Sequence, residues 1–162
     1  MRKGIVLPAL LLGLALAAPA SAQTAVKDIS LKAAQDLASA TLEDCTKKGF
    51  KVAVTVVDRD GRVKLIIRGD GTGPHTLSTS QRKAFTALTF KATTIATIDR
   101  VAKNPGSANL KDISGVLLLG GGVPIKVGNE VVGAVGVSGA PGGDKDEACA
   151  MVGLKKIEGM LR

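Results

Sequence analysis

Residues 115–150, GVLLLGGGVPIKVGNEVVGAVGVSGAPGGDKDEACA, decide how this chain folds. Val116–Leu119 is an apolar run too short for a helix, bounded by Gly115 and by Gly120, Gly121 and Gly122, and it reads as a strand. Val123–Val127 and Glu130–Val137 flank Gly128-Asn129, a pair that tolerates positive φ and closes a tight hairpin. Along the last strand Val131, Gly133, Val135 and Val137 share one face, and Val132, Ala134, Gly136 and Ser138 the other. Small residues on one face admit close packing of a helix or of a flat ligand. The chain then turns through Gly139-Ala140-Pro141-Gly142-Gly143 into a helix from Asp144 to Leu161, with Ala148, Met151 or Val152, Leu154, Ile157 and Leu161 turned inward. The stretch is the back half of a sheet with a helix returning across it.

Upstream, Lys27–Lys48 carries Leu31, Ala34, Ala38, Leu42 and Cys45 at helical spacing, with Ser30 or Asp28 to cap it and Gly49 to end it. Phe50–Val57 and the alternating Arg62–Arg68 flank Asp58-Arg59-Asp60-Gly61 and form a hairpin. The loop Gly69–Ser78, GDGTGPHTLS, leads into a helix capped by Thr76 or Ser78 and reaching about Leu88. Ala84, Phe85 and Leu88 form its buried stripe, leaving Gln81, Arg82 and Lys83 polar. Thr93 or Thr94 caps a shorter helix to Lys103 that buries Ile95, Ile98 and Val101 or Ala102, and Asn104-Pro105-Gly106 stops it before a loop to Ser114. Five mostly hairpin-connected strands with helices grouped around them indicate an α+β sandwich.

The first 22 residues stand apart from this pattern. Arg2 and Lys3, the apolar run Ile5–Ala18 and Ala20-Ser21-Ala22 read as an export leader cleaved near Ala22, leaving one domain over 23–162. An apolar run of 14 residues is shorter than the roughly 20 that a spanning helix needs, so no transmembrane segment is expected. The expected location is periplasmic or secreted. Without Arg2 and Lys3 the chain keeps 20 basic against 14 acidic side chains, a charge of +6. With no Trp or Tyr and three Phe, a base-stacking platform for nucleic acid is not expected. Anionic small molecules or an anionic membrane surface suit the charge better, unless the basic surface serves solubility alone. Cys45 and Cys149 fit either a bridge closing a loop of about 100 residues or two buried thiols.

His75 is the only histidine, which excludes a multi-histidine metal site within one chain. It lies in a glycine-bounded loop before a helix, where an imidazole can meet a ligand and bind a heme iron through one nitrogen. A solvent-exposed histidine without a role fits the same position. The glycines at 69, 71 and 73 and at 120–122 lack the lysine and serine of a phosphate loop and the full G-x-G-x-x-G. Pro141-Gly142-Gly143 is a better anion cradle, though Asp144 and Asp146 already complement that helix end. Arg68, Arg82 and Lys83, with Lys111 further along, can pair with carboxylates such as heme propionates, or form a solvated face.

Four segments carry a family likeness: VAVTVVDRDGRV at 52–63, RGDGTGPHT at 68–76, RKAFTALTF at 82–90 and residues 120–150. In these the chain resembles the GlcG/HbpS-like, or heme-degrading domain, family. The resemblance implies a profilin-like α/β/α layering around a five-stranded antiparallel sheet, homo-oligomers and, for exported members, heme binding linked to redox sensing or heme degradation. It supplies no agreed catalytic residue, so His75 as metal ligand, with Arg68, Arg82 and Lys83 toward the propionates, rests on the residues themselves. The expectation is an exported heme-binding protein with heme as cofactor, serving storage, scavenging or sensing. Two alternatives stand beside it. One is an enzyme or accessory protein acting on a small anionic metabolite, glycolate- or corrinoid-related, with His75 as base and Asp70 or Lys83 assisting. The other is a non-catalytic assembly protein.

Overall fold

The computed structural model describes Met1 and residues 25–161. Apart from Met1, the leader expected over 1–22 lies outside the described residues. Helix α1 spans Leu31–Lys47 and is capped by Ser30, whose Oγ accepts from the Ala33 N–H at 3.2 Å. Asp28, the other candidate cap, instead accepts from the Ile29 and Arg59 N–H groups and pairs with Lys64, tying the entering chain to the first hairpin. Strands β1 (Ala53–Asp58) and β2 (Val63–Arg68) follow, then α2 (Thr76–Phe90), α3 (Thr94–Lys103) and a 3-10 turn, Pro105–Asp112. Strands β3 (Gly122–Val127) and β4 (Glu130–Ser138) lead into α4 (Gly143–Ile157), which ends in a 3-10 turn over Glu158–Met160.

The sheet is antiparallel throughout, in the order β2-β1-β4-β3. Four strands form it among the described residues, not the expected five. Val116–Leu119 is not a strand because its polar backbone is committed elsewhere. The Val116 carbonyl accepts from Arg82 Nη2 at 2.8 Å, the Leu117 N–H donates to Thr86 Oγ1 at 2.8 Å, and the Leu119 N–H turns back to the Leu117 carbonyl. The segment lies over α2 and buries Val116 there. An apolar run between glycines therefore served a loop.

Helices cover both faces. α1 and α4 pack on Val54, Val56, Val123, Ile125, Val135 and Val137. Their own contribution is Ala34, Leu37, Ala38, Cys149, Ala150 and Ile157, and Cys45–Cys149 joins them as a disulfide with Cα atoms 5.6 Å apart. α4 is turned relative to expectation. Cys149, Ala150, Gly153 and Ile157 face inward while Ala148, Met151 and Val152 are exposed. The contact with α1 is made by small residues: a Cβ at Gly153 would lie 2.0 Å from Thr41 Oγ1 and 2.7 Å from the Leu37 carbonyl oxygen.

The opposite face settles what the small side of β4 is for. α2 lies directly on it, so close that a Cβ at Gly136 would sit 2.0 Å from the Ser80 carbonyl oxygen and 2.6 Å from the Ala84 nitrogen. The buried stripe of α2 is Thr76, Ser80, Lys83, Ala84, Thr86 and Ala87, with Phe85 and Leu88 only half-buried. Lys83, expected on the polar side, belongs to this stripe. α3 is more peripheral than its sequence suggests. Thr94 and Thr97 are its buried residues, Ile95, Ile98 and Val101 are half-buried, and Thr94 Oγ1 receives the Gly122 N–H at 2.9 Å.

Candidate functional site

The N-terminal ends of α2 and α4 open on the same side of the molecule, and between them lies a cleft of about 460 Å³. His75 and Thr79 come from the start of α2, Gly143 and Asp146 from the start of α4, and Lys51 from the residues before β1. His75 is the N-cap residue of α2, in place of the expected Thr76 or Ser78. Thr76 Oγ1 instead donates to the Gly73 carbonyl at 2.7 Å and closes the turn before the helix. The His75 carbonyl receives the Thr79 N–H and hydroxyl, so the helix start holds the backbone of His75 in place. Its imidazole is exposed and has no hydrogen-bond partner among the described residues, which leaves its ring nitrogens open to a ligand.

The floor of the cleft is a buried ion pair. Lys83 is 1 % and Asp146 2 % exposed, and Lys83 Nζ lies 2.7 Å from Asp146 Oδ2. The ammonium also donates to the Val137 carbonyl at 2.9 Å, and Asp146 Oδ1 accepts the Ala140 N–H at 3.0 Å. α2, the end of β4 and α4 are thereby tied at one point. Burial pushes the Asp146 carboxyl above the usual carboxylate range, opposed by the Lys83 ammonium and by the Ala140 and Gly139 N–H groups. The next residue, Glu147, is also pushed up by burial, against the pull of Thr93 and the Ile95 and Gly121 N–H groups, and its Oε2 is buried without a hydrogen-bond partner among the described residues.

The glycines around this floor serve close packing. Gly121, at φ +115°, would place a Cβ 2.7 Å from Asp146 Cβ and 3.1 Å from Lys83 Nζ. A Cβ at Gly120 would meet the Gly143 backbone at 3.0 Å. The triplet 120–122 thus packs its backbone against one side of the ion pair and is not a phosphate loop.

Of the residues singled out from the sequence, His75 and Lys83 share the cleft. Arg68, at the end of β2, donates Nη2 to the Thr72 carbonyl at 2.8 Å and holds the loop that carries His75. With Asp70 it lines a neighbouring hollow, which shares Lys51 with the cleft. Arg82 points to the other side of α2, where it holds Val116. Lys111 is exposed on the 3-10 turn and pairs with Asp112. The sequence reading missed Asp146 and Lys51. Asp146 was legible only as a complement to its own helix end, while the real signal was Lys83 at the inward spacing 76, 80, 83, 84, 87 of α2, where a lysine requires a carboxylate. Among the described residues no three His, Cys, Asp or Glu side chains converge as a metal site, and no helix is long and apolar enough to cross a membrane.

Comparison with known proteins agrees with this architecture. GlcG of Escherichia coli K12 is 32 % identical over 110 residues, 68 % of this chain and 81 % of GlcG. The crystal structure of HbpS superposes with a TM-score of 0.80 at 41 % identity, over 86 % of this chain and 97 % of HbpS. A crystal structure of a PduOC:heme complex shares the fold at a TM-score of 0.72 and 23 % identity, over 80 % of this chain and 95 % of that one. The model of the family described as "Haem degrading protein HbpS-like" matches residues 29–155, and the chain belongs to that family.

Proposed function

We propose that this protein binds heme, with His75 as an iron ligand, and that it acts after export as a heme store, scavenger or sensor. The observation that carries the reading is the imidazole of His75: exposed, free of hydrogen bonds among the described residues, and fixed by its backbone at the mouth of the cleft. It is supported by membership of the HbpS-like family and by the shared fold of a heme complex. Heme, when bound, supplies a redox-active iron to which a neutral imidazole nitrogen can coordinate. The chain's own residues orient it. The Thr79 hydroxyl and N–H hold the His75 carbonyl, and the Arg68 guanidinium holds the Thr72 carbonyl, so the loop before α2 presents the ring from a rigid base. Leu119, 46 % exposed, gives the cleft an apolar side. The half-polar lining and the exposed ligand suit a heme held at the surface or between two copies of the chain, which makes a homo-oligomer part of the proposal.

Titration of the purified protein with hemin should give a saturable Soret shift that His75→Ala weakens at least about tenfold. A His75→Ala titration indistinguishable from wild type would remove His75 from the site. A second reading, binding of a small anionic metabolite, is favoured by Lys83 and Asp146 at the cleft floor. Asp70, expected to assist His75 in that reading, lines the neighbouring hollow and not the cleft.

A further inference from the structure

We propose that the floor of the cleft is a carboxylate-binding subsite whose charged donor is Lys83. An ammonium has three N–H donors. Two are taken, by Asp146 Oδ2 and the Val137 carbonyl oxygen, and the third has no acceptor among the described residues. A buried donor without an acceptor is unfavourable, and a ligand oxygen relieves it. Lys83 lines the cleft, so that acceptor can arrive from there. The first turns of α2 and α4 open on the same space, with N–H groups that a helix cannot satisfy internally. Lys51, its side chain lying along Gly71, adds a second cation at the rim. Lys51 and Lys83 against Asp146 leave the lining one positive charge in excess when His75 is neutral.

One remaining N–H takes one oxygen acceptor, with Asp146 already on another side of the ammonium, and a singly charged carboxylate matches the one positive charge in excess. The carboxylate can come from a short organic acid, or from a heme propionate, in which case the subsite rests on the heme reading above.

Two titrations separate these sources. Amide resonances of Thr79, Gly139 and Gly143 are followed while acetate, succinate or inorganic phosphate is added to heme-free protein. Separately, hemin and its dimethyl ester are compared by absorbance. The variants are Lys51→Ala at the rim and the charge-balanced Lys83→Met/Asp146→Asn, which leaves no lone buried charge. A free-acid site gives saturable shifts with acetate or succinate, weakened about threefold by Lys51→Ala and at least about tenfold by the double variant. A propionate site gives hemin at least about tenfold tighter than the ester, a difference that the double variant abolishes. Phosphate matching the carboxylates would overturn the carboxylate assignment. No saturable shift together with equal affinity for hemin and ester would overturn the subsite, while a His75-dependent Soret band would leave the heme reading intact. Saturable acetate shifts without hemin binding would leave the subsite standing and remove the heme reading.

Discussion

Lys83 is the residue on which the site depends most and the one its sequence disguises best. A lysine between Arg82 and Ala84 reads as surface, yet it is buried against Asp146, 63 positions later. Removing one partner of such a pair strands the other charge, so Lys83→Met should destabilise the fold by about 3–5 kcal/mol. Replacing both, as Lys83→Met/Asp146→Leu, should recover most of that loss, measured by urea unfolding. A double-variant loss equal to the sum of the Lys83→Met and Asp146→Leu losses would show that the pair is not coupled. The raised Asp146 carboxyl has a definite sign. It keeps its proton in the folded state at pH values where the unfolded chain, near 3.8, has lost it. Its contribution to stability therefore grows as pH falls from the folded value toward 3.8. A carboxyl carbon-13 titration of Asp146 should give a midpoint above 3.8; a lower one would mean that Lys83 outweighs burial. His75, by contrast, was legible, because a lone histidine among glycines before a helix needs no distant partner to be noticed.

At the scale of elements, the close approach of α2 to β4 sets the cleft. The small face of β4 was visible in the sequence, but a strand pattern cannot tell a helix from a flat ligand, and α2 occupies it. Gly136→Ala should therefore be severe, at the upper end of the roughly 1–3 kcal/mol typical of overpacking or beyond it, since its Cβ would meet backbone. Gly128→Ala, in the hairpin turn at φ +59° with open space around it, should lose only about 1–2 kcal/mol. Urea midpoints of the two variants check the order, and a reversed order would contradict the packing. The phase of α4 was misread for a related reason. Met151 and Val152 look like core, whereas the true interface uses Gly153 and Cys149 because α1 comes too near for larger side chains. Val116–Leu119 misled because apolar composition does not reveal where a backbone finds its hydrogen bonds.

Over the whole molecule, two layers of helix enclose one antiparallel sheet; the α/β/α layering was what the family resemblance implied, and most element bounds followed from periodicity. The bridge between α1 and α4 did not, since spacing alone allowed thiols as well. It closes 104 positions of chain, and Cys45→Ser/Cys149→Ser should lower stability by about 2–5 kcal/mol. An unchanged urea midpoint after reduction would refute that. The bridge belongs with the proposed export, because oxidising compartments preserve disulfides. With a single histidine in the chain, the binding proposal has an unusually clean readout. Adding diamagnetic gallium protoporphyrin to the heme-free protein should move both carbon-bound proton lines of the His75 ring strongly upfield, as an imidazole seated over the porphyrin centre requires. Saturable porphyrin binding with those two lines unmoved would contradict ligation by His75.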